Sequence, residues 1–239
     1  MLIVQDIFHK YQSQIVIDNI SFKVQPGEII CLTGPSGCGK TTLLKIVAGL
    51  VNPKSGIIQN NFNVTSYVFQ EPRLLPWKTC LENISFGLKF KKISIEKRHY
   101  IALNLAKELG IAQAVNQYPH QLSGGMQQRV ALGRALAIEP DFLILDEPFS
   151  NLDIGRRRQL QDLILQLLKN RNLAILLVSH DLSEAVKLGN KIIILSASPS
   201  KIVYEWKPKP GINRDEAYIY KTVSSLLTIP QVANCFDVN

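Results

Sequence analysis

The stretch IICLTGPSGCGKTT, residues 29–42, decides how the chain folds. Ile29, Ile30, Cys31, Leu32 and Thr33 form a short apolar run of the kind buried on both faces of a sheet. Gly34, Gly37 and Gly39 follow, where a side chain would forbid the backbone conformations and close ligand approach that a tight loop needs. A helix is expected over residues 41–50. Strand, glycine-rich loop and helix in this order make a phosphate loop. From Gly34 through Pro35, Ser36, Gly37, Cys38 and Gly39, such a loop gathers backbone amides at a helix start whose dipole favours an anion. Lys40 is then placed to bridge the terminal phosphates of a nucleotide, Thr41 to ligand Mg²⁺, and Thr42 to donate to the α-phosphate.

Outward from this loop, the pattern is α/β. Residues 2–11 and 20–24 alternate like half-buried strands and are separated from the loop by the turn Gln25-Pro26-Gly27-Glu28. Residues 71–137 turn helical, with helices expected over 95–109 and 123–136. The α/β pattern resumes with strands over 141–146, 173–179 and 191–195. A helix over 153–169 carries Leu160, Leu163, Ile164, Leu167 and Leu168 on one face. The expectation is a domain over residues 1–206 in which a helical subdomain, about 71–137, interrupts an α/β core. Lys207-Pro208-Lys209-Pro210-Gly211 reads as a linker, and residues 215–227 as a last helix within the short segment 207–239.

Composition narrows the classes. The chain has 239 residues, 46% of them hydrophobic, enough for a sizeable core. No apolar run approaches the ~20 residues of a membrane span, and residues 1–6 lack the character of a signal peptide. Four cysteines stand apart with no CxxC pair, which fits reduced thiols in a cytoplasmic protein. The net charge of +8 suits anionic partners without choosing among nucleotide, acidic lipid and nucleic acid.

Two acids end the run FLILDEP, residues 142–148. Alone, Asp146 or Glu147 also fits a helix cap. Beside a phosphate loop, adjacent acids at the end of a buried strand imply a cation that offsets their desolvation. Asp146 is then the Mg²⁺ carboxylate and Glu147 the base that polarises attacking water, worth ~10²–10⁴ in rate. Gln70 and His180 each end an apolar strand-like run, where a solvated or structural role is the commoner reading. Tyr11 fits a turn as well as an aromatic platform, and Ser123 fits a helix N-cap.

Between the two nucleotide motifs lies LSGGMQQR, residues 122–129, which resembles the signature of the ATP-binding cassette (ABC) family. The resemblance covers residues 2 to about 203. It implies an α/β P-loop ATPase with an N-terminal antiparallel β-region and an inserted helical subdomain. In that family Tyr11 corresponds to an aromatic stacked on adenine, where base stacking is worth roughly 1–3 kcal/mol. Gln70 corresponds to a glutamine that contacts Mg²⁺ and water, and His180 to a switch histidine on the γ-phosphate. Leu122, Ser123, Gly124, Gly125 and Gln127 would face the ATP of a second subunit, giving a homodimer that sandwiches two ATP molecules. Asn151, Leu152 and Asp153 match the dimer-contact loop, although Asn151 stands where alanine is usual.

The 53-residue interval from Gln70 to Ser123 excludes the long coiled-coil insertion of DNA-repair relatives. The segment QEPRLLPW, residues 70–77, resembles that of importer ATPases for nitrate, aliphatic sulfonates and taurine, and DLSEAVKL, residues 181–188, extends the likeness. Arg73, Leu74, Leu75 and Trp77 are accordingly expected to dock a membrane permease, with an extracytoplasmic solute-binding protein as an indirect partner. The place of work is then the inner face of the cell membrane, and no nucleic-acid partner is expected. An ABC ATPase acting on nucleic acid or ribosomes, a non-hydrolysing nucleotide sensor and an exporter ATPase are the alternatives.

Overall fold

A computed structural model describes residues 1–150, 152–209 and 211–236, with the side chains of 168–170 outside that description. In chain order, the elements begin with β1 (Leu2–Tyr11), β2 (Gln14–Val24), β3 (Ile29–Thr33), α1 (Lys40–Val47) and β4 (Ser55–Asn60). Next come β5 (Thr65–Val68), α2 (Cys80–Ile84), α3 (Ile95–Glu108), α4 (Gly124–Leu136), β6 (Phe142–Asp146) and α5 (Ile154–Asn170). The chain ends with β7 (Ala174–Val178), α6 (Leu182–Leu188), β8 (Lys191–Leu195), β9 (Ile202–Trp206), α7 (Glu216–Leu227) and α8 (Pro230–Ala233).

Residue contacts divide the chain into two compact units, one formed by residues 1–62 and 174–239, the other by residues 63–173. In the first, β1 pairs antiparallel with β2 and β4, and its inward residues Leu2, Val4 and Ile7 are buried. The register slips between Val4 and Ile7, where Asp6 takes a φ of +51° and its amide donates to Ser21 Oγ at 2.7 Å. Asp tolerates that left-handed conformation better than most residues. β3 runs parallel to β7 on one side and β8 on the other, and β9 lies antiparallel to β8. Every residue of β3 and β7 is buried, which is why these strands are unbroken runs rather than alternations. Cys31 is among them, and burial pushes its thiol far above the ordinary range.

In the second unit β5 and β6 pair in parallel, and α2, α3 and α4 pack on one another. Gly133 permits that packing, because a Cβ there would lie 2.8 Å from Leu109 Cδ1 and 3.1 Å from Ile84 Cγ1. β2 begins six residues before the expected 20–24 strand, since Tyr11 pairs with Gln14 across a two-residue turn. That turn contains neither Gly nor Asn; Gln12 itself adopts a φ of +51°. Strand β4 escaped sequence reading for a different reason. Ile57 is 54% exposed, so the segment has no buried face to imprint an alternation.

Candidate functional site

In the first unit the glycine-rich loop connects β3 to α1. Gly34, Gly37 and Gly39 have φ values of +152°, +76° and +109°. Two of them also admit close neighbours: a Cβ at Gly34 would lie 2.6 Å from Leu195 O, and one at Gly39 2.8 Å from Val16 Cγ1. Lys40 is buried, and its Nζ donates to Gly34 O and Pro35 O at 2.8 Å each. The Cys38 Sγ lies 3.8 Å from the same amine, and Ser200 Oγ donates to the Cys38 carbonyl. The loop is thus wrapped around one ammonium group.

Helix α1 begins with Gly39 as N-cap, has no side-chain cap and carries no acid in its first turn. Thr79, Ser94, Ser123, Asp153, Asp181 and Asp215 cap the starts of α2 to α7. Against those six, the amides at the start of α1 are offered bare, which is what a phosphate requires. Thr41 and Thr42, half-buried, occupy its first turn.

Tyr11 closes the β1–β2 hairpin and is 48% exposed. His9, two residues back on the same face of β1, meets its ring edge-on at 4.7 Å. His9 is buried, and desolvation first, then Lys54, hold its pKa down. His9 thus supports the Tyr11 ring edge-on. His180 stands exposed just past β7. Its neighbour Ser179 is pinned, with the amide on Leu32 O at 3.1 Å and the hydroxyl donating to Glu184 Oε2 and accepting from the Asp181 amide at 3.0 Å. The histidine therefore projects from a rigid corner.

In the second unit β6 delivers Asp146 buried and Glu147 half-buried. Glu147 adopts a φ of +45°, a left-handed conformation costing of order 1–3 kcal/mol at a non-glycine residue. Its carbonyl accepts from both the amide and the hydroxyl of Ser150, at 3.3 and 3.1 Å, which holds the turn. Gln70 Nε2 reaches Glu147 Oε2 at 3.4 Å, so these two expected residues do meet. Sequence reading missed Tyr67, whose hydroxyl donates to Asp146 Oδ2 at 2.8 Å. Burial, and secondarily the Asp146 charge, push its pKa up, so this donor keeps its proton. The Tyr67 ring touches Phe69 at 4.4 Å between centroids, and the Arg73 guanidinium lies 4.2 Å over Phe69.

Ser123 is the N-cap of α4, accepting from the Met126 amide at 3.4 Å. Gln127 folds back, Nε2 donating to Pro119 O at 2.9 Å and Leu122 O at 3.3 Å, and so braces the loop before the helix. Leu122 and Gly125 are buried and Gly124 is exposed. A Cβ on Gly125 would press on Arg156 and Leu152 at 3.2 and 3.3 Å. Leu152 is buried and Asp153 caps α5, whereas Asn151 lies outside the described residues.

The segment after Gln70 is clamped by two residues that carry no motif. Asn83, fully buried, accepts from the Leu75 amide at 2.8 Å and donates to the carbonyls of Leu75, Lys78 and Thr79. Arg134 donates to Arg73 O and Pro72 O at 2.9 and 2.8 Å. On this rigid backbone Trp77 is 70% exposed, while Leu74 and Leu75 are half-buried. Trp77 is therefore not packed into the interior of this unit.

Comparison with known proteins gives the family. The family model described as ABC transporter matches residues 17–150. The chain belongs to the ABC transporter family. A taurine import ATP-binding protein, TauB, from Yersinia pestis bv. Antiqua (strain Antiqua) is 40% identical over 210 residues, 85% of this chain and 82% of the relative. An aliphatic sulfonates import ATP-binding protein, SsuB, from Bacillus subtilis (strain 168) is 43% identical over 194 residues, 78% and 75% of the two chains. A solved ATP-binding cassette, dimeric and bound to ADP and phosphate after hydrolysis, superposes with a TM-score of 0.79. It is 29% identical and covers 87% of this chain and 99% of its own. The ABC protein is accordingly an ATP-binding ATPase with the α/β fold of P-loop enzymes. No helix among its described residues is long and apolar enough to cross a membrane.

Proposed function

We propose that this chain is the ATP-hydrolysing subunit of an importer for a small sulfonate-like solute, working as a homodimer beneath a membrane permease. Residues 1–206 then form the ATPase domain, with the helical subdomain at about 71–137 inserted and 207–239 as a short appendage. Tyr11 carries the adenine ring, and the loop from Gly34 to Thr42 holds the phosphates. The signature from Leu122 to Gln127 addresses the ATP of the partner copy. The inner face of the cell membrane is the place this work requires.

Mg²⁺ fits the donors present. Among the described residues no three His, Cys, Asp or Glu side chains cluster as an all-protein cage would. A magnesium–nucleotide site needs only one or two carboxylates, with phosphate and water oxygens completing the octahedron. Asp146, which is buried and oriented by Tyr67, would supply the carboxylate, and Thr41 and Gln70 would supply the neutral oxygens. When bound, Mg²⁺ would offset phosphate charge; Glu147 would take the proton of attacking water and His180 would donate toward the departing phosphoryl oxygens. Removing the Tyr67 hydroxyl should loosen Asp146 without emptying the core. In Tyr67→Phe the Mg²⁺ concentration giving half-maximal ATP hydrolysis should rise roughly tenfold, while circular dichroism stays native. An unchanged Mg²⁺ profile removes Tyr67 from this role.

The observation carrying the importer reading is the exposed Trp77 on a backbone pinned by Asn83 and Arg134. Exposed aromatic anchors on rigid platforms are what protein partners bury. With permease and binding protein in vesicles, Trp77→Ala should cut ATP-driven taurine or alkanesulfonate uptake by about thirtyfold, the worth of a ~2 kcal/mol anchor. Hydrolysis by the isolated protein should change less than about twofold, the small effect usual for an exposed substitution. Equal loss of both activities would make Trp77 structural and end the docking assignment.

A further inference from the structure

Beyond the nucleotide motifs in the chain, β9, the residues that follow it and α7 line an open groove of about 500 Å³. Its aromatic wall is Tyr204, Trp206 and Tyr218, and Lys207, Lys209 and Lys221 stand around it. Strand alternation separates the charges. Tyr204 and Trp206 share one face of β9, while Glu205 points to the other and pairs with Lys191 at 2.8 Å. Among the described residues no carboxylate lines the groove and no ion pair engages any of the three lysines. On α7, Tyr218, Lys221, Thr222 and Ser225 recur at helical spacing and present one mixed face, with Leu226 buried behind it.

The helix is held in place for this. Arg214 Nη1 donates to the carbonyls of Val186, Lys187 and Gly189 at 3.2, 3.1 and 2.8 Å, tying the entry of α7 to the end of α6. The start of α7 is thereby anchored, and the groove's volume lies in the range of small-ligand pockets. Three ammonium groups around the groove, none in an ion pair among the described residues, favour a negative headgroup, and the aromatic wall favours an apolar body.

We propose that this groove binds a small organic anion, an apolar chain or ring bearing one sulfonate or carboxylate. Trp206 sits in the wall and is one of only two tryptophans, so Trp77→Phe leaves it as the sole indole reporter. In that protein, without nucleotide, hexanesulfonate should blue-shift Trp206 emission saturably. Hexanol at equal concentrations should give no saturable change. Adding Lys207→Gln, Lys209→Gln and Lys221→Gln should weaken hexanesulfonate binding on the order of tenfold, the product of three modest exposed ion pairs. Phosphatidylglycerol vesicles form the remaining arm. Absence of a saturable shift, an equal response to hexanol, indifference to the lysine substitutions, or a response to vesicles alone would each overturn the proposal. Because ATP is left out, such a failure does not touch the ATPase reading.

Discussion

Glu147→Gln should bind ATP and stall there, with hydrolysis reduced ~10²–10⁴-fold, the worth of a positioned base. The substitution keeps the size and shape of the side chain and removes only its basicity. The turn that presents it is independent of that charge, since Ser150 holds the residue 147 carbonyl through amide and hydroxyl. The left-handed φ of +45° also stays, so the strain stored there is unchanged and the fold should melt at the native temperature. Gln70 lies 3.4 Å from the carboxylate and can pair with an amide as well. With chemistry blocked and the phosphate loop intact, ATP should convert the variant from monomer to a stable dimer on size exclusion. Phosphate release at the native rate would take Glu147 out of its assigned role. Fast release is also what a nucleotide site complete within one monomer would give.

What the sequence made legible was whatever is local. The run 29–42 specifies strand, loop and helix by residue types that neighbour one another in the chain, and the structure places β3 and α1 as those types require. The same holds for Asp146 at the end of β6, because a buried strand that finishes in acids is conspicuous. Clamps are different. Asn83 and Arg134 act on backbone carbonyls of residues 72–79, and a carbonyl has no identity in a sequence. Tyr67 was hidden similarly, since its partner lies 79 residues away on a neighbouring strand. The short helix α6 lay unassigned within a quoted motif, because seven residues leave little periodicity to read. Its cap by Asp181 is local, two residues along the chain, but the clamp by Arg214 is a tertiary fact. The elements that carry the motifs were thus readable, while the side chains that brace them across the fold were not.

Lys40→Ala should fail one step earlier than Glu147→Gln, and the contrast locates the step. The Lys40 ammonium is buried and satisfies two carbonyls of its own loop, Gly34 O and Pro35 O, at 2.8 Å each. Charge-assisted hydrogen bonds of this kind contribute about 1.5–3 kcal/mol apiece. Alanine removes both, together with the cation that would meet the terminal phosphates. Affinity for ATP should fall on the order of 10²-fold or more, read by titration with a fluorescent nucleotide analogue. ATP should then leave the variant monomeric at concentrations that dimerise Glu147→Gln. Lys40→Arg refines the argument. It keeps the charge but must fit a planar fork where the Cys38 Sγ stands 3.8 Å from the amine and Gly39 has Val16 against it. Arginine should therefore restore little. Native affinity in Lys40→Arg would mean that charge alone suffices and that the loop's wrapping of the ammonium is incidental, whereas native affinity in Lys40→Ala would remove the phosphate loop from ATP binding altogether.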